Sequence, residues 1–248
     1  MKINFFKVTV KTKLLDKIQI MKNKKNLLSE NKIVDLPSHT IDINRYRWQN
    51  YNWSEFGEEW TESAKLYKGI DPQKWKQSLI NNLMLKNFEK DRIIVEIGSG
   101  AGRWTEHLQK IAKKIIVTDI TQKSIEICKK RFELKNNVEY KIIKNGLDFI
   151  DDNYIEYVWS YDVFVHINPS DVENYVKDLS RILKPNGLAI IHHSGSFASY
   201  KDRSAWRAYL GKKQFANFID KYGMKIIEQN ESLVHLEGDV ITIFSKPP

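Results

Sequence analysis

From Ile93 onward, runs of apolar, mostly β-branched residues alternate with segments whose apolar positions return every third or fourth residue. Ile93 to Ile97 reads as a strand buried on both faces. Gly98, Gly100 and Gly102 follow at alternate positions, and Trp104, Leu108 and Ile111 then recur at helical spacing, so the unit is a strand, a tight glycine turn and a helix. Ile115 to Asp119 is predicted as a second buried strand, backed by a helix carrying Ile125, Cys128 and Phe132. Val138 to Ile143 gives a third strand and Ile155 to Tyr161 a fourth. The next helix puts Val172, Tyr175, Val176, Leu179 and Leu183 on one face and opens on a capping box, Ser170-x-x-Glu173. Lys184-Pro185-Asn186-Gly187 predicts a turn before a fifth strand, Leu188 to Ile191. This alternation implies right-handed crossovers and a mostly parallel sheet with helices on both sides. After a helix around Phe215, Phe218 and Ile219, the linker between Met224–Glu228 and Val240–Phe244 is too short for a helical crossover, so these two strands are expected to pair antiparallel.

Ahead of Ile93 the pattern is weaker. Phe5 to Val10 reads as an edge strand and Leu14 to Leu28 as a short amphipathic helix. Tyr46, Trp48, Tyr51, Trp53, Phe56 and Trp60 crowd six aromatics into residues 46–60. Trp53, Phe56 and Trp60 share helical spacing, which predicts either one packed helix face or a lid whose rings stack on a ligand. A further helix spans Pro72 to Leu85, with Trp75, Leu79 and Leu83 inward. The expected division is a basic extension over 1–45, an aromatic helical cap over 46–90 and an α/β domain over 91–248.

Composition sharpens this only in part. A length of 248 residues can bury a full core, and 42% hydrophobic content excludes a disordered chain. The single cysteine, Cys128, forbids an intramolecular disulfide, and no apolar run approaches membrane-spanning length, so a cytoplasmic protein is expected. The net charge of +9 invites a nucleic-acid reading, but nine lysines against Asp16, Glu30 and Asp35 place +6 of it in residues 1–35. That segment reads as a solvated extension, or as one attracted weakly to an anionic membrane surface or acidic lipid-linked substrate.

The chemistry centres on Glu96-x-Gly98-Ser99-Gly100-Ala101-Gly102-Arg103. A dinucleotide turn reads G-x-G-x-x-G and cradles a pyrophosphate, whereas a carboxylate just before the first glycine suits a cationic ligand. The segment resembles motif I of the class I S-adenosylmethionine-dependent methyltransferases, and the closing hairpin is similar to the end of their sheet. The resemblance implies a Rossmann-like, seven-stranded, mostly parallel sheet with helices on both faces and a C-terminal antiparallel hairpin. It implies S-adenosyl-L-methionine as cofactor, leaving as S-adenosyl-L-homocysteine. Glu96, Gly98, Ser99, Gly100, Gly102 and Arg103 would form the turn at its amino-acid end. Asp119 would accept the ribose hydroxyls unless it serves as a helix cap, a task Thr121 can perform instead, and Ile120 would flank the adenine. Asn145 stands where the family often has an Asp facing the adenine amino group, with Gly146 and Leu147 beside it. Asp162 would meet the methionine end or the reacting centre.

A hydroxyl acceptor needs a base or a metal, whereas an amine needs only to be bound deprotonated. His166, His192 and His193 follow the fourth and fifth strands, where such pockets open. His166 is expected to be the base, with Asp162 and one of His192 or His193 assisting. A metal held by Asp162 and a histidine is an alternative. Ser194 to Gly211 reads as an acceptor loop carrying Tyr200, Arg203, Trp206 and Arg207, or as an ordinary connection with Trp206 packed inward. His192-His193-Ser194-Gly195, these arginines and Gly238-Asp239-Val240-Ile241 are similar to methyltransferases found with surface-polysaccharide synthesis genes. A small-molecule or saccharide acceptor is therefore expected, or else an amine, a carboxylate or a protein side chain. Nucleic acid is not: the chain has Ser160-Tyr161-Asp162-Val163 where base N-methyltransferases carry Asn/Asp-Pro-Pro-aromatic, and Cys128 is not placed as a C5-pyrimidine nucleophile. A nicotinamide oxidoreductase and a non-catalytic cofactor sensor are the remaining readings.

Overall fold

A computed structural model describes residues 33–58, 69–195, 207–234 and 236–248, together with Leu15, Asp16, Ile18, Gln19 and Lys65. The strand predicted at Phe5–Val10 lies outside them, as does most of the Leu14–Leu28 helix. Seven strands form one sheet in the order β3-β2-β1-β4-β5-β7-β6. They are β1 (Arg92–Ile97), β2 (Ala112–Asp119), β3 (Val138–Ile142), β4 (Ile155–Ser160), β5 (Leu183–Ser194), β6 (Lys225–Asn230) and β7 (Asp239–Ser245). The first five run parallel, while β7 pairs antiparallel with both β5 and β6. The sequence expectation of a parallel sheet closed by a hairpin holds.

Alternation along the strands splits the apolar side chains between two cores. Ile94, Ile115, Val117 and Trp159 face one side, where α2 (Pro72–Leu79) and Trp104 cover them. Val95, Ile97, Val158 and Ile191 face the other, under α5 (Pro169–Ile182) and α6 (Lys212–Lys221). Among the described residues the remaining α-helices are α1 (Ile41–Gln49), α3 (Thr105–Leu108) and α4 (Gln122–Arg131), and α2 runs on into a π-helical turn, Ile80–Leu85. None of the helices among the described residues is long and apolar enough to cross a membrane.

Several local expectations are corrected. The capping box does not form: Pro169 and Ser170 open α5, and the Ser170 N–H donates to Asp35 Oδ1 at 3.1 Å while its hydroxyl bonds Oδ2. A distant aspartate thus does the work assigned to Glu173, which instead pairs with Lys221. Lys184 to Gly187 does not separate helix from strand; β5 already begins at Leu183, and Asn186, at φ 65°, makes an irregularity inside it. Trp53 lies in an irregular stretch and Phe56 in the turn after it, neither on a helix face, and Trp60 is outside the described residues. The helix there is α1, started by Thr40, whose Oγ1 accepts from the Ile43 N–H. Residues 33–49 pack on the α/β body, with Leu36, His39 and Asn44 buried. Leu36 exchanges two hydrogen bonds with the Asn168 side chain, at 2.7 and 3.0 Å.

Candidate functional site

The carboxyl ends of β1, β2 and β4 open into a cavity, the place where open α/β sheets take their ligands. Its floor is the glycine turn. Gly98 and Gly100 have φ of 77° and 53°, where a side chain is strained, and a Cβ at Gly98 would sit 2.3 Å from Val163 Cγ2. Four of the turn's N–H groups are spent inside the protein. Those of Gly98 and Ser99 donate to the Thr118 carbonyl at 2.8 and 3.0 Å, that of Gly100 to Asp119 Oδ2 at 3.1 Å, and that of Gly102 to the Ser99 carbonyl at 2.9 Å. A pyrophosphate cradle would direct such groups at the ligand, so this arrangement opposes the dinucleotide reading. The helix after the turn is also only four residues, Thr105–Leu108, shorter than Trp104, Leu108 and Ile111 predict.

Asp119 lines the cavity wall at the end of β2. Its Oδ1 accepts from the Thr121 N–H and hydroxyl, both at 2.9 Å, while Thr121 itself caps α4. Three bonds leave room on a carboxylate for further donors, which is what two ribose hydroxyls require. Ile120, Ile143 and Tyr175 line the adjoining wall, an apolar slot of the kind an adenine fills. Arg103 lines the opposite wall with its side chain 5% exposed, over Trp104 at 4.8 Å and Trp75 at 5.4 Å. None of its three guanidinium nitrogens is hydrogen-bonded, and Glu58 stands 3.5 Å from Nε. A buried cation with unused donors beside the glycine turn matches a ligand carboxylate. Ribose, adenine and amino-acid ends of S-adenosylmethionine thus each find fitting residues.

Other predicted cofactor contacts do not converge. Glu96, on Ile94's side of the sheet, is not among the residues that line the cavity; one of its oxygens accepts from the Thr105 hydroxyl, the other is buried without a hydrogen bond, and burial pushes its pKa up to about 7. Gly102 packs against Phe132 and Cys128. Leu147 is fully buried, its N–H donating to Asp178 Oδ2 at 2.7 Å. Asn145 and Gly146 line a neighbouring cavity that shares Ile143 and Tyr175 with the first.

The cover comes from residues 41–58. Ile41, Asn44 and Trp48, at i, i+3 and i+7 on α1, line the cavity, followed by Trp53 and Gly57. Trp48 and Trp53 stack with centroids 5.9 Å apart, and the Trp53 ring lies over Gly100. Side chains of α4 tie this segment down: Arg131 Nη1 donates to the carbonyls of Phe56 and Ala101 at 3.1 and 2.9 Å, and Lys123 reaches the Tyr51 carbonyl. Ile41 and Asn44 were assigned to the extension; their helical spacing behind a capping threonine was the signal for them.

The histidines separate cleanly. His166, largely buried, lines the cavity; its ring meets Trp48 edge-on at 5.2 Å, and its carbonyl accepts from Asn44 Nδ2 at 2.7 Å. His193 cannot assist. The alternation of β5 sends it to the opposite core, stacked 3.9 Å from Phe215 and bonded to Thr242 Oγ1 at 2.7 Å, where burial depresses its pKa to about 3. His192, on the cavity's side but fully buried, touches Asp162, which lines the wall at φ 61°. Arg207 is no open acceptor ligand: Nε and Nη2 bind Asp239 Oδ2 at 3.2 and 3.0 Å. Tyr200, Arg203 and Trp206 lie outside the described residues.

Residues 94–187 match the family model described as a methyltransferase domain. The chain is 23% identical over 151 residues to a ubiquinone biosynthesis O-methyltransferase of Pelagibacter ubique, covering 56% of this chain and 61% of that one. The chain thus spans less than two thirds of that relative. Among solved structures, geranyl diphosphate C-methyltransferase of Streptomyces coelicolor, crystallised with S-adenosyl-L-homocysteine, superposes with a TM-score of 0.62 at 11% identity over 83% of this chain and 98% of that one. An S-adenosylmethionine-dependent methyltransferase of Clostridium acetobutylicum gives 0.59 at 14% identity, covering 74% of this chain and 96% of that one.

Proposed function

We propose that this chain, which carries an S-adenosylmethionine-dependent methyltransferase domain, methylates a hydroxyl of a small ring-bearing acceptor, a saccharide or nucleotide-linked sugar, with His166 as the base. The observation that supports it is a histidine in the wall of a cavity covered by two stacked indoles. Asp119, the Ile120–Ile143–Tyr175 slot, the glycine turn and Arg103 would hold the cofactor, which supplies an already activated methyl group when bound. What the chain must add is position and a proton acceptor. Indole faces bind the C–H face of a sugar ring, and the Trp53 ring packed over Gly100 covers that part of the cavity. Asn44 fixes the backbone of His166, so the imidazole is aimed from a rigid base. Asp162 presents a carboxylate on the same wall for a neighbouring hydroxyl.

A second reading keeps the chemistry and exchanges the sugar for a hydroxylated aromatic ring. The apolar cover favours it, as does a relative named for ubiquinone biosynthesis. Turnover of nucleotide sugars, free saccharides and catechol-type rings, followed by S-adenosylhomocysteine release, separates the two. Methylation of a sugar that slows about 10²-fold in His166→Ala supports the first reading. Turnover confined to aromatic hydroxyls, or unchanged by that substitution, overturns it in substrate or in base respectively.

A further inference from the structure

Four stretches well separated in the sequence meet in one buried cluster behind the cavity wall. The fully buried His192 lies between two carboxylates, its Nδ1 3.2 Å from Asp162 Oδ1 and its Nε2 3.4 Å from Asp239 Oδ2. Arg207 closes the group, with Nη2 3.0 Å from Asp239 Oδ2 and 3.9 Å from Asp162 Oδ1. Tyr161 stacks on the imidazole at 4.3 Å. Only Tyr161 and Asp162 of these residues also line the cavity.

The charges decide what the cluster can do. Two aspartates and one arginine leave it at −1 with a neutral imidazole, and at zero with an imidazolium. The other titratable neighbours hold their charge near neutral pH: burial raises the Tyr161 phenol far above its ordinary value and keeps His193, next along β5, neutral. The Arg103 guanidinium also faces Tyr161 and pulls against that rise. Burial disfavours charge on His192, but its bonds to Asp162 and Asp239 outweigh that and raise its pKa. Nδ1 also has two incompatible tasks. It accepts the Asp162 N–H at 3.1 Å when bare, or donates to Asp162 Oδ1 when protonated. His192 therefore has two bonded arrangements, and its proton selects between them.

We propose that His192 is a charge-compensating group of the cofactor pocket, neutral while a sulfonium cofactor lies beside Asp162 and protonated once the uncharged thioether product replaces it. This rests on reading the cavity as the S-adenosylmethionine site. The sulfonium supplies the positive charge that the cluster lacks. Loss of the methyl group removes that charge, and a proton on His192 restores it. By reciprocity, a group protonated more readily with product bound makes the enzyme prefer the sulfonium form as pH rises. His192 acts through Asp162 and touches neither ligand, so its role is positioning.

The test needs no acceptor. Calorimetric titration of the full chain with S-adenosylmethionine and with S-adenosylhomocysteine, each in phosphate and in Tris near pH 7, counts the protons exchanged with each ligand. The two ligands differ only in the methyl group and its charge. The expected result is that S-adenosylmethionine releases more protons, by a fraction up to one, and that its affinity relative to the product rises by up to about tenfold per pH unit through the transition. In His192→Asn, with both ligands still bound, the difference should vanish. Should that variant not fold, Asp239→Asn removes one carboxylate and should shrink the difference at pH 7. Equal proton counts in the wild type, or an undiminished difference in the variant, overturn the proposal while leaving the pocket intact. Failure of both ligands to bind removes the reading of the pocket itself.

Discussion

The floor of the cavity and its cover are fastened by different means. The floor is held through its own backbone N–H groups: the glycine turn is pinned to the Thr118 carbonyl and the Asp119 carboxylate at the end of the buried β2, with Val163 filling the space a Cβ would need at Gly98. The cover, residues 41–58, is held mainly by side chains that reach across to it, Arg131 and Lys123 from α4 and the Glu58 pair with Lys76. A floor of that kind cannot change without cost to the fold. A cover of this kind can be altered while the fold survives. Stability and ligand affinity should therefore respond together to changes in the floor and separately to changes in the cover.

Gly98→Ala should have the largest effect. It combines a left-handed φ with a clash against Val163, costing about 2–5 kcal/mol, read as a lowered unfolding midpoint together with lost cofactor binding. If it folds and binds normally, the floor is not rigid. Asp119→Ala comes next, since it leaves the Gly100 N–H and the Thr121 donors without their acceptor. S-adenosylhomocysteine affinity should fall about 10²-fold with a measurable loss of stability, both followed by calorimetry and thermal melting. Trp53→Ala in the cover should weaken ligand binding about tenfold with the melting temperature nearly unchanged; a collapse in stability would put the cover and floor in one class. The remaining effect depends on pH and belongs to Glu96. Burial lifts its pKa from 4.5 to about 7, so its stabilising, protonated form is complete below 4.5 and lost as pH rises to about 7. Glu96→Gln keeps the neutral form and its bond to Thr105, and should gain up to about 3 kcal/mol relative to the wild type between pH 5 and 8. Denaturant melts at both ends of that window check the sign.

The floor was also the part legible in the sequence. A buried parallel strand needs a continuous apolar run, and a turn at positive φ needs glycine, so Ile93 to Gly102 announces both. Asp119 follows from the same logic, as the polar end of an apolar strand. The cover was not legible because its supports are remote: Arg131 and Lys123 lie more than seventy positions from the carbonyls they hold. The Ser170 box failed for the same reason, with Asp35 winning from outside the helix. His192 and His193 show the limit most plainly. Adjacency in sequence suggested one site, while the two-residue period of β5 sends them to opposite faces. Glu96 likewise has the right neighbours and is not among the residues that line the cavity.

The most direct measurement is calorimetric titration with S-adenosylhomocysteine and NAD of the wild type, Asp119→Ala and Trp53→Ala, with melting curves on the same samples. The expected result is micromolar binding of S-adenosylhomocysteine and none of NAD, weakened about 10²-fold with a loss of stability in the floor variant and about tenfold without one in the cover variant. Binding of NAD instead, or wild-type affinity for S-adenosylhomocysteine in both variants, would contradict the assignment of this cavity to the methyl donor.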